Sequence, residues 1–304
     1  MTKDFTVDEY KDFIKEERKQ TFLQPYDLIY ETFKKLSYHL KDKSFFIENA
    51  SFIVEELRKK AWNDFLPQEK AFTTRMLKFL IDEKHANSLS SIEAITWFIE
   101  KYPEHIYALT LSNTQSRRSR AGKEFESTIE LVLMGAGVPI DSQGNIGKQI
   151  FTSKGLGKMF DLVSPGAIEY DINKRNTVLI SAKTTLRERW QEVPEEMGRT
   201  GAKEMFLATL DTTISSEVFS TLYEANIQVT TTKSIKENYY KDNSRVLTFE
   251  DLIKICKETA SKWNQYSYSV ADTEKLKEII TKQIQKHEDK EFVVDYYNER
   301  LKKY

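Results

Sequence analysis

All ten glycines of this 304-residue chain fall between Gly122 and Gly201. Glycine supplies tight turns and close backbone approaches, and it weakens helices. A chain that confines it to this stretch has put its turn-rich sheet there, and the flanks on either side should be mainly helical. The length fits about two domains at ~150 residues each. The division expected is a helical domain or arm over residues 1–110, then a second domain over 111–304 that closes with helices from about 249.

The N-terminal flank agrees. Stretches 8–20, 25–40, 51–62, 67–83 and 90–101 repeat apolar residues every three or four positions, as in Phe52, Val54, Leu57 and Trp62, or Phe72, Met76, Phe79 and Leu80. Ser90 to Glu93 reads as a capping box. Pro25, Pro67 and Pro103 stand at helix starts or breaks. The middle alternates. A helix over 122–134 precedes a glycine-broken stretch, then a short strand at 158–163 closed by Ser164-Pro165-Gly166. A β-branched strand at 177–182, a helix at 186–197, a strand at 205–210, a helix at 215–224 and a strand at 227–231 follow. Helices resume at 249–262 and from 273 to near the end. This order implies an α/β fold: a central mixed sheet flanked by helices.

Charge excludes a strongly basic coat protein, since 46 basic residues meet 47 acidic ones. Only residues 111–210 are net positive, with 14 basic and 12 acidic side chains. One cysteine, Cys256, excludes an intrachain disulfide and a structural zinc site. No apolar run approaches the ~18 residues of a membrane span. The start, MTKDFTVDEYKDF, lacks the apolar core of a signal peptide. A protein of the cell interior is the expectation.

The chemistry falls on two strands and one helix. Asp161 sits in an otherwise apolar strand, and Lys183 ends another. A carboxylate and a lysine at neighbouring strand ends can meet. With one more carboxylate they suit Mg²⁺, which takes oxygen ligands and keeps several waters, while the lysine orients an attacking water. Arg187-Glu188-Arg189 follows four to six residues past Lys183. Arginine makes bidentate bonds to guanine, and a carboxylate accepts from cytosine, so this triplet can read G·C pairs. Of the downstream acids, Glu192 and Glu195 read as a solvated helix face, and Glu196 can point back to a metal. Arg117, Arg118, Arg120 and Lys123 put four cations in seven positions, a phosphate clamp. The helix after it brings a carboxylate inward, Glu126 or Glu124. Glu126 lies at the edge of the apolar face, and Glu124 reads as solvated.

Other features carry less. His39, His85, His105 and His287 are scattered over the flanks without metal-ligand spacing. Gly144-x-x-Gly147 with Gly155-x-Gly157 lacks the Lys and Ser/Thr of a nucleotide loop. Trp190 reads as helix packing. Tyr239-Tyr240-Lys241 is a candidate DNA-facing loop.

The set S-R-A-G-K-x-F-E on a helix, a strand with Asp161, Ser181-x-Lys183, then Arg187-Glu188-Arg189 and a glutamate resembles type II restriction endonucleases of the PD-(D/E)XK superfamily. Within it, the likeness is to the branch that reads CCGG or CC-containing sites, including BsaWI-like enzymes. In that branch the last carboxylate comes from a helix, and Ser181 stands two before the lysine. The resemblance covers about residues 113–231. It implies a restriction-endonuclease-like fold and a site-specific endonuclease that cuts double-stranded DNA at a palindrome with a CCGG-like core, leaving 5′-phosphates. It further implies Mg²⁺ held by Asp161 and Glu196, with Glu126 adjusting the site and Lys183 positioning water. Base readout falls to Arg187, Glu188 and Arg189. A homodimer or higher oligomer, a methyltransferase acting on the same site, and the cytoplasm of a bacterial or archaeal cell are implied as well. The rival expectations are a structure-specific repair or junction nuclease, a DNA-binding protein without catalysis, and a helical interaction protein.

Overall fold

The computed structural model of the chain describes residues 5–146, 160–198 and 202–304. The chain forms two compact units: Met1–Thr32 with Lys59–Glu124, and Phe33–Arg58 with Phe125–Tyr304. This differs from a single cut near residue 110. Three helices contribute residues to both units, α2 (Pro25–Lys35), α3 (Lys43–Lys78) and α6 (Pro103–Gly135), so no linker marks the division.

In the first unit, α1 (Val7–Thr21) starts from a Thr6–Glu9 capping box. After the short α4 (Glu83–Ala86), α5 (Ser91–Lys101) starts from the expected Ser90–Glu93 box. The core gathers Tyr10, Ile14, Phe22, Phe65, Phe72 and Met76, and the Tyr10 hydroxyl donates to the Met76 carbonyl at 3.0 Å. α3 is longer than expected. It runs through Pro67, where the Gln68 side chain donates to the Asp64 carbonyl at 2.9 Å beside the missing amide. Its buried residues include Ala61 and Phe65 in this unit, and Ala50, Ile53, Val54 and Leu57 in the part that belongs to the second unit; Phe52 and Trp62, expected in the core, are exposed, as is Phe79.

The second unit is built on a six-stranded sheet in the order β1 (Asp141–Ser142), β2 (Leu162–Ser164), β3 (Val178–Lys183), β4 (Met205–Thr209), β5 (Ile227–Thr231), β6 (Leu247–Thr248). The first two ladders are antiparallel and the other three parallel, which is the expected mixed sheet. Apolar strands with helices around them bury both faces. The core holds Phe160, Val163, Leu179, Leu207, Val229 and Leu222, with Trp190 packed against it as expected. Between the strands come α7 (Gln143–Ile146), α8 (Ala167–Ile172), a 3₁₀ turn (Arg187–Gln191), α9 (Glu192–Gly198), α10 (Ser216–Glu224) and α11 (Lys233–Tyr239). The helices α12 (Phe249–Ser261), α13 (Val270–Lys286) and α14 (Glu291–Leu301) complete the unit.

Two glycines are required by geometry. Gly137, at φ 71°, ends α6 while the Val138 amide bonds back to the Leu133 carbonyl at 3.0 Å. At Gly166, a Cβ would lie 2.7 Å from both Asp141 Oδ2 and Glu169 Oε2. Asp141 anchors the C-terminal helix: Arg300, 4% exposed, donates to Asp141 Oδ1 at 2.9 Å and to the Ile140 carbonyl at 2.5 Å, while Glu169 accepts the Tyr268 and Tyr304 hydroxyls at 2.9 and 3.1 Å. Burial pushes the Glu169 carboxyl up, the nearby Asp141 charge adds to that, and Arg300 opposes it. Among the described residues no helix is long and apolar enough to cross a membrane. Cys256 is fully buried, and burial pushes its thiol up to about 12.

Candidate active site

The parallel and antiparallel ladders meet at β3, and this places the chemistry. Because β2 and β3 run antiparallel, with Leu162 opposite Ile180, the residue that enters β2 and the residue that ends β3 share one edge. Those residues are Asp161 and Lys183. The Asp161 backbone is fixed from both sides: its amide donates to the Ile180 carbonyl at 3.0 Å, and its carbonyl accepts from the Gln143 amide at 2.9 Å. The Asp161 carboxylate accepts the Ala182 amide at 2.6 Å. Burial raises the Asp161 carboxyl above its ordinary value, while the Lys183 cation and the Ala182 amide pull it down. Asp161 and Lys183 are both half-buried. A half-buried carboxyl with one neighbouring cation is a position that a further cation would relieve.

Downstream of Lys183 the chain passes Leu186, buried at 2% exposure, and turns at Arg187. Arg187 has a φ of 43°, and its side chain is exposed. The expected helix at 186–197 is divided: a 3₁₀ turn carries Arg187, Glu188 and Arg189, and α9 carries Glu192, Glu195 and Glu196. Pro194 falls in the first turn of α9, where a missing amide is harmless. Glu195 is exposed. The side chains of Glu188, Arg189, Glu192 and Glu196 lie outside the described residues, as do Lys158, Met159, Gly147, Gly155 and Gly157.

The basic run is helical. Arg117, Arg118, Arg120 and Lys123 lie in the middle of α6, not in a loop ahead of a helix. Arg118 and Lys123 are exposed. Arg117 donates through Nε to Glu69 Oε2 at 2.7 Å. Arg120 corrects the clamp reading. It is 8% exposed, pairs with Glu124 at 3.0 Å, donates to the Leu23 carbonyl at 2.9 Å and lies 4.8 Å from the Phe65 ring centroid. Its guanidinium is committed inside the helical unit, and phosphate cannot reach it there. Glu124, expected in solvent, is the other half of that pair and is 4% exposed. Glu126 is half-buried, further along α6.

Among the described residues no three His, Cys, Asp or Glu side chains are grouped to hold a metal; the Glu196 side chain is outside that set. His105 bonds the Phe5 carbonyl at 2.9 Å, and the His85 ring packs on Trp97, so both serve packing. Tyr240, expected in a DNA-facing loop, is buried. The residue that sequence reading missed is Asp211, 7% exposed just past β4 at the same sheet edge. A single acid after an apolar strand was its only signal.

A restriction-endonuclease core has this sheet and this edge, and similarity to known proteins agrees. The EcoRII C-terminal family model matches residues 88–253. The type II restriction enzyme SsoII of Shigella sonnei is 54% identical over 293 residues, 96% of each chain. The structure of metal-depleted Ecl18kI with uncleaved, modified DNA superposes with a TM-score of 0.93 at 52% identity, covering 98% of this chain and 99% of that one. The PspGI–substrate DNA complex shares the fold at a TM-score of 0.58 and 17% identity, over 80% of this chain and 95% of that one. These matches define a type II restriction endonuclease. The chain belongs to the EcoRII C-terminal family.

Proposed function

We propose that this enzyme acts as a homodimer on double-stranded DNA, using Mg²⁺ to hydrolyse both strands of a palindrome with a CCGG-like core and leave 5′-phosphates. The observation that carries this reading is the meeting of Asp161 and Lys183 at one end of β2 and β3, directly ahead of Arg187. Restriction enzymes as a class use a divalent metal, and the donors here are oxygens, the hard ligands Mg²⁺ prefers. Asp161 and Glu196 would hold the ion, with Glu126 adjusting the site. Bound there, Mg²⁺ supplies charge stabilisation at the scissile phosphate. Lys183 orients the attacking water and keeps positive charge beside Asp161. Arg187, Glu188 and Arg189 read G·C pairs in the major groove. Arg118 and Lys123, exposed on α6, contact phosphates, and Arg117 does so with the exposed part of the guanidinium that it also holds against Glu69. Arg120 is left out of that set because its guanidinium is spent on Glu124. Two copies around a dyad match a palindrome, since each copy then meets the same half-site. A methyltransferase acting on the same site would accompany such an enzyme in a bacterial or archaeal cytoplasm.

Digestion of phage DNA tests this reading. With Mg²⁺ we expect discrete fragments whose sequenced ends share one palindrome containing CC and GG and carry 5′-phosphates. EDTA should leave the DNA whole, and added salt should weaken binding. Intact DNA with Mg²⁺ across temperatures and salts, or ends without a common sequence, would contradict the reading.

A further inference from the structure

Arg187 holds a left-handed backbone conformation, φ 43°, that a residue with a Cβ adopts only under constraint. The constraint comes from Asp211. Its Oδ2 accepts the Leu186 amide at 2.7 Å, and the Arg187 amide also bonds to this carboxylate. Its Oδ1 accepts the Thr213 amide at 2.8 Å and the Thr213 hydroxyl at 2.7 Å. The Asp211 amide in turn donates to the Thr209 hydroxyl at 3.1 Å, and Thr209 stands opposite Lys183 in the ladder. Tyr240 closes the frame from outside. Its hydroxyl donates to the Asp211 carbonyl at 2.8 Å and accepts the Ile214 amide at 3.1 Å. Although burial acts to raise it, these hydrogen bonds hold the Asp211 carboxyl below its ordinary value.

The donors leave no freedom to the group that meets them. Three backbone amides and one hydroxyl approach, and two carboxylate oxygens accept them all. An amide side chain has one acceptor oxygen, and its NH₂ would face an N–H donor on the other side. The Asp211 cradle is therefore a carboxylate site by construction. It joins the end of β4 to the turn after β3, and the turn carries the arginine.

We propose that Asp211 is a positioning residue for sequence recognition: it clamps the Leu186–Arg187 backbone so that the Arg187 side chain reaches a base edge from a fixed origin. This rests on the reading of Arg187 as a base-reading residue. A bidentate arginine–guanine contact tolerates little displacement. Loosening its origin lowers discrimination between base pairs before it lowers hydrolysis at Lys183. Asp211 touches neither DNA nor water in this role.

The test compares the wild type with Asp211→Asn, Thr213→Val and Arg187→Ala. The substrates are a duplex carrying the site mapped by end sequencing and duplexes altered at one base pair each. Two quantities are read: the ratio of cleavage rates on the mapped and altered sites, and the single-turnover rate on the mapped site at saturating protein. Asp211→Asn is expected to lower the ratio roughly ten-fold, within the range a lost bidentate contact spans, and to keep most of the single-turnover rate. Thr213→Val preserves side-chain shape and removes one donor to Oδ1. It should lower the ratio in the same direction by a smaller factor, which decides the matter if Asp211→Asn does not fold. Arg187→Ala should lower the ratio at least as far as Asp211→Asn. An unchanged ratio in folded Asp211→Asn, or equal slowing on every duplex, would overturn the positioning role. If Arg187→Ala itself leaves the ratio unchanged, base reading by Arg187 fails and the positioning role fails with it. If Arg187→Ala lowers the ratio and folded Asp211→Asn does not, only the role of Asp211 is lost.

Discussion

Lys183→Ala is expected to abolish cleavage, by at least ~10²–10⁴-fold for the loss of a group that positions the water, while the protein still folds and still binds its site. Lys183 ends β3, and its place in the sheet is set by backbone pairing with Thr209, which alanine keeps. Its side chain is half-buried, so truncation opens no deep cavity. What changes is charge. Asp161 is a carboxyl pushed up by burial and pulled down by Lys183. Without the lysine its proton is held to higher pH, and a protonated carboxyl is a poor metal ligand. The variant thus loses the water-orienting group and weakens the cation site together. Raising the pH should recover part of the metal affinity, because it deprotonates Asp161, yet little of the cleavage. Cleavage kinetics and gel-shift titration on one duplex measure both halves. Cleavage within ten-fold of wild type would count against the assignment of Lys183.

The second large effect is on stability and lies far from the hydrolytic edge in sequence. Arg300→Ala is expected to cost ~3–5 kcal/mol, the usual loss when one partner of a buried ion pair is removed. Arg300 lies among Asp141, the carbonyls of Ile140 and Pro165, and the rings of Tyr296 and Tyr297. Its removal leaves the fully buried Asp141 beside Glu169 with no cation between them. The sign of the pH dependence follows. The Glu169 carboxyl is already raised in the folded protein, so its contribution is kept at low pH and lost as pH rises through that raised value. Losing Arg300 raises it further. The variant should therefore be least impaired in mild acid and lose stability more steeply than wild type toward neutral pH. Urea unfolding at several pH values measures this. A loss below ~1 kcal/mol, or none of this pH trend, would show that the pair is not what fastens α14 to β1.

How much of this could be read from the sequence depended on the range of the contacts. The confinement of glycine located only the first half of the sheet, because β1, β2 and β3 lie inside Gly122–Gly201 whereas β4, β5 and β6 follow it in a flank expected to be mainly helical; β3, β4 and β5 declared themselves by apolar and β-branched runs. β1 and β6, of two residues each, carry no periodicity to read. α6 was legible only from Gly122 onward, because a glycine and a basic run resemble a loop. In the structure that glycine has open space where a Cβ would be, and the helix passes through it. The spacing of Arg120 and Glu124 by four is an ordinary helical ion pair. Once the helix is known to include them, that pairing outweighs a phosphate clamp. Asp161 and Lys183 were legible because each stands at the end of an apolar run. Asp211 was not, since its partner Leu186 lies 25 residues away and only the parallel β3–β4 ladder brings the two together. The apolar register of α3 was misread at Phe52 and Trp62: the buried face runs through Ile53, Val54, Leu57 and Ala61, and one helix spans Pro67, where a break was expected.

The central claim is that the edge where β2 begins and β3 ends holds the metal that hydrolysis needs. Crystals of the protein with uncleavable DNA, soaked in Mn²⁺ as an anomalous scatterer in place of Mg²⁺, test it most directly. We expect a peak at ~2.0–2.2 Å from an Asp161 carboxylate oxygen, with Glu196 completing the protein ligands, and no such peak in Asp161→Ala. Full occupancy at any other place, with Asp161 left unliganded beside bound DNA, would contradict the account.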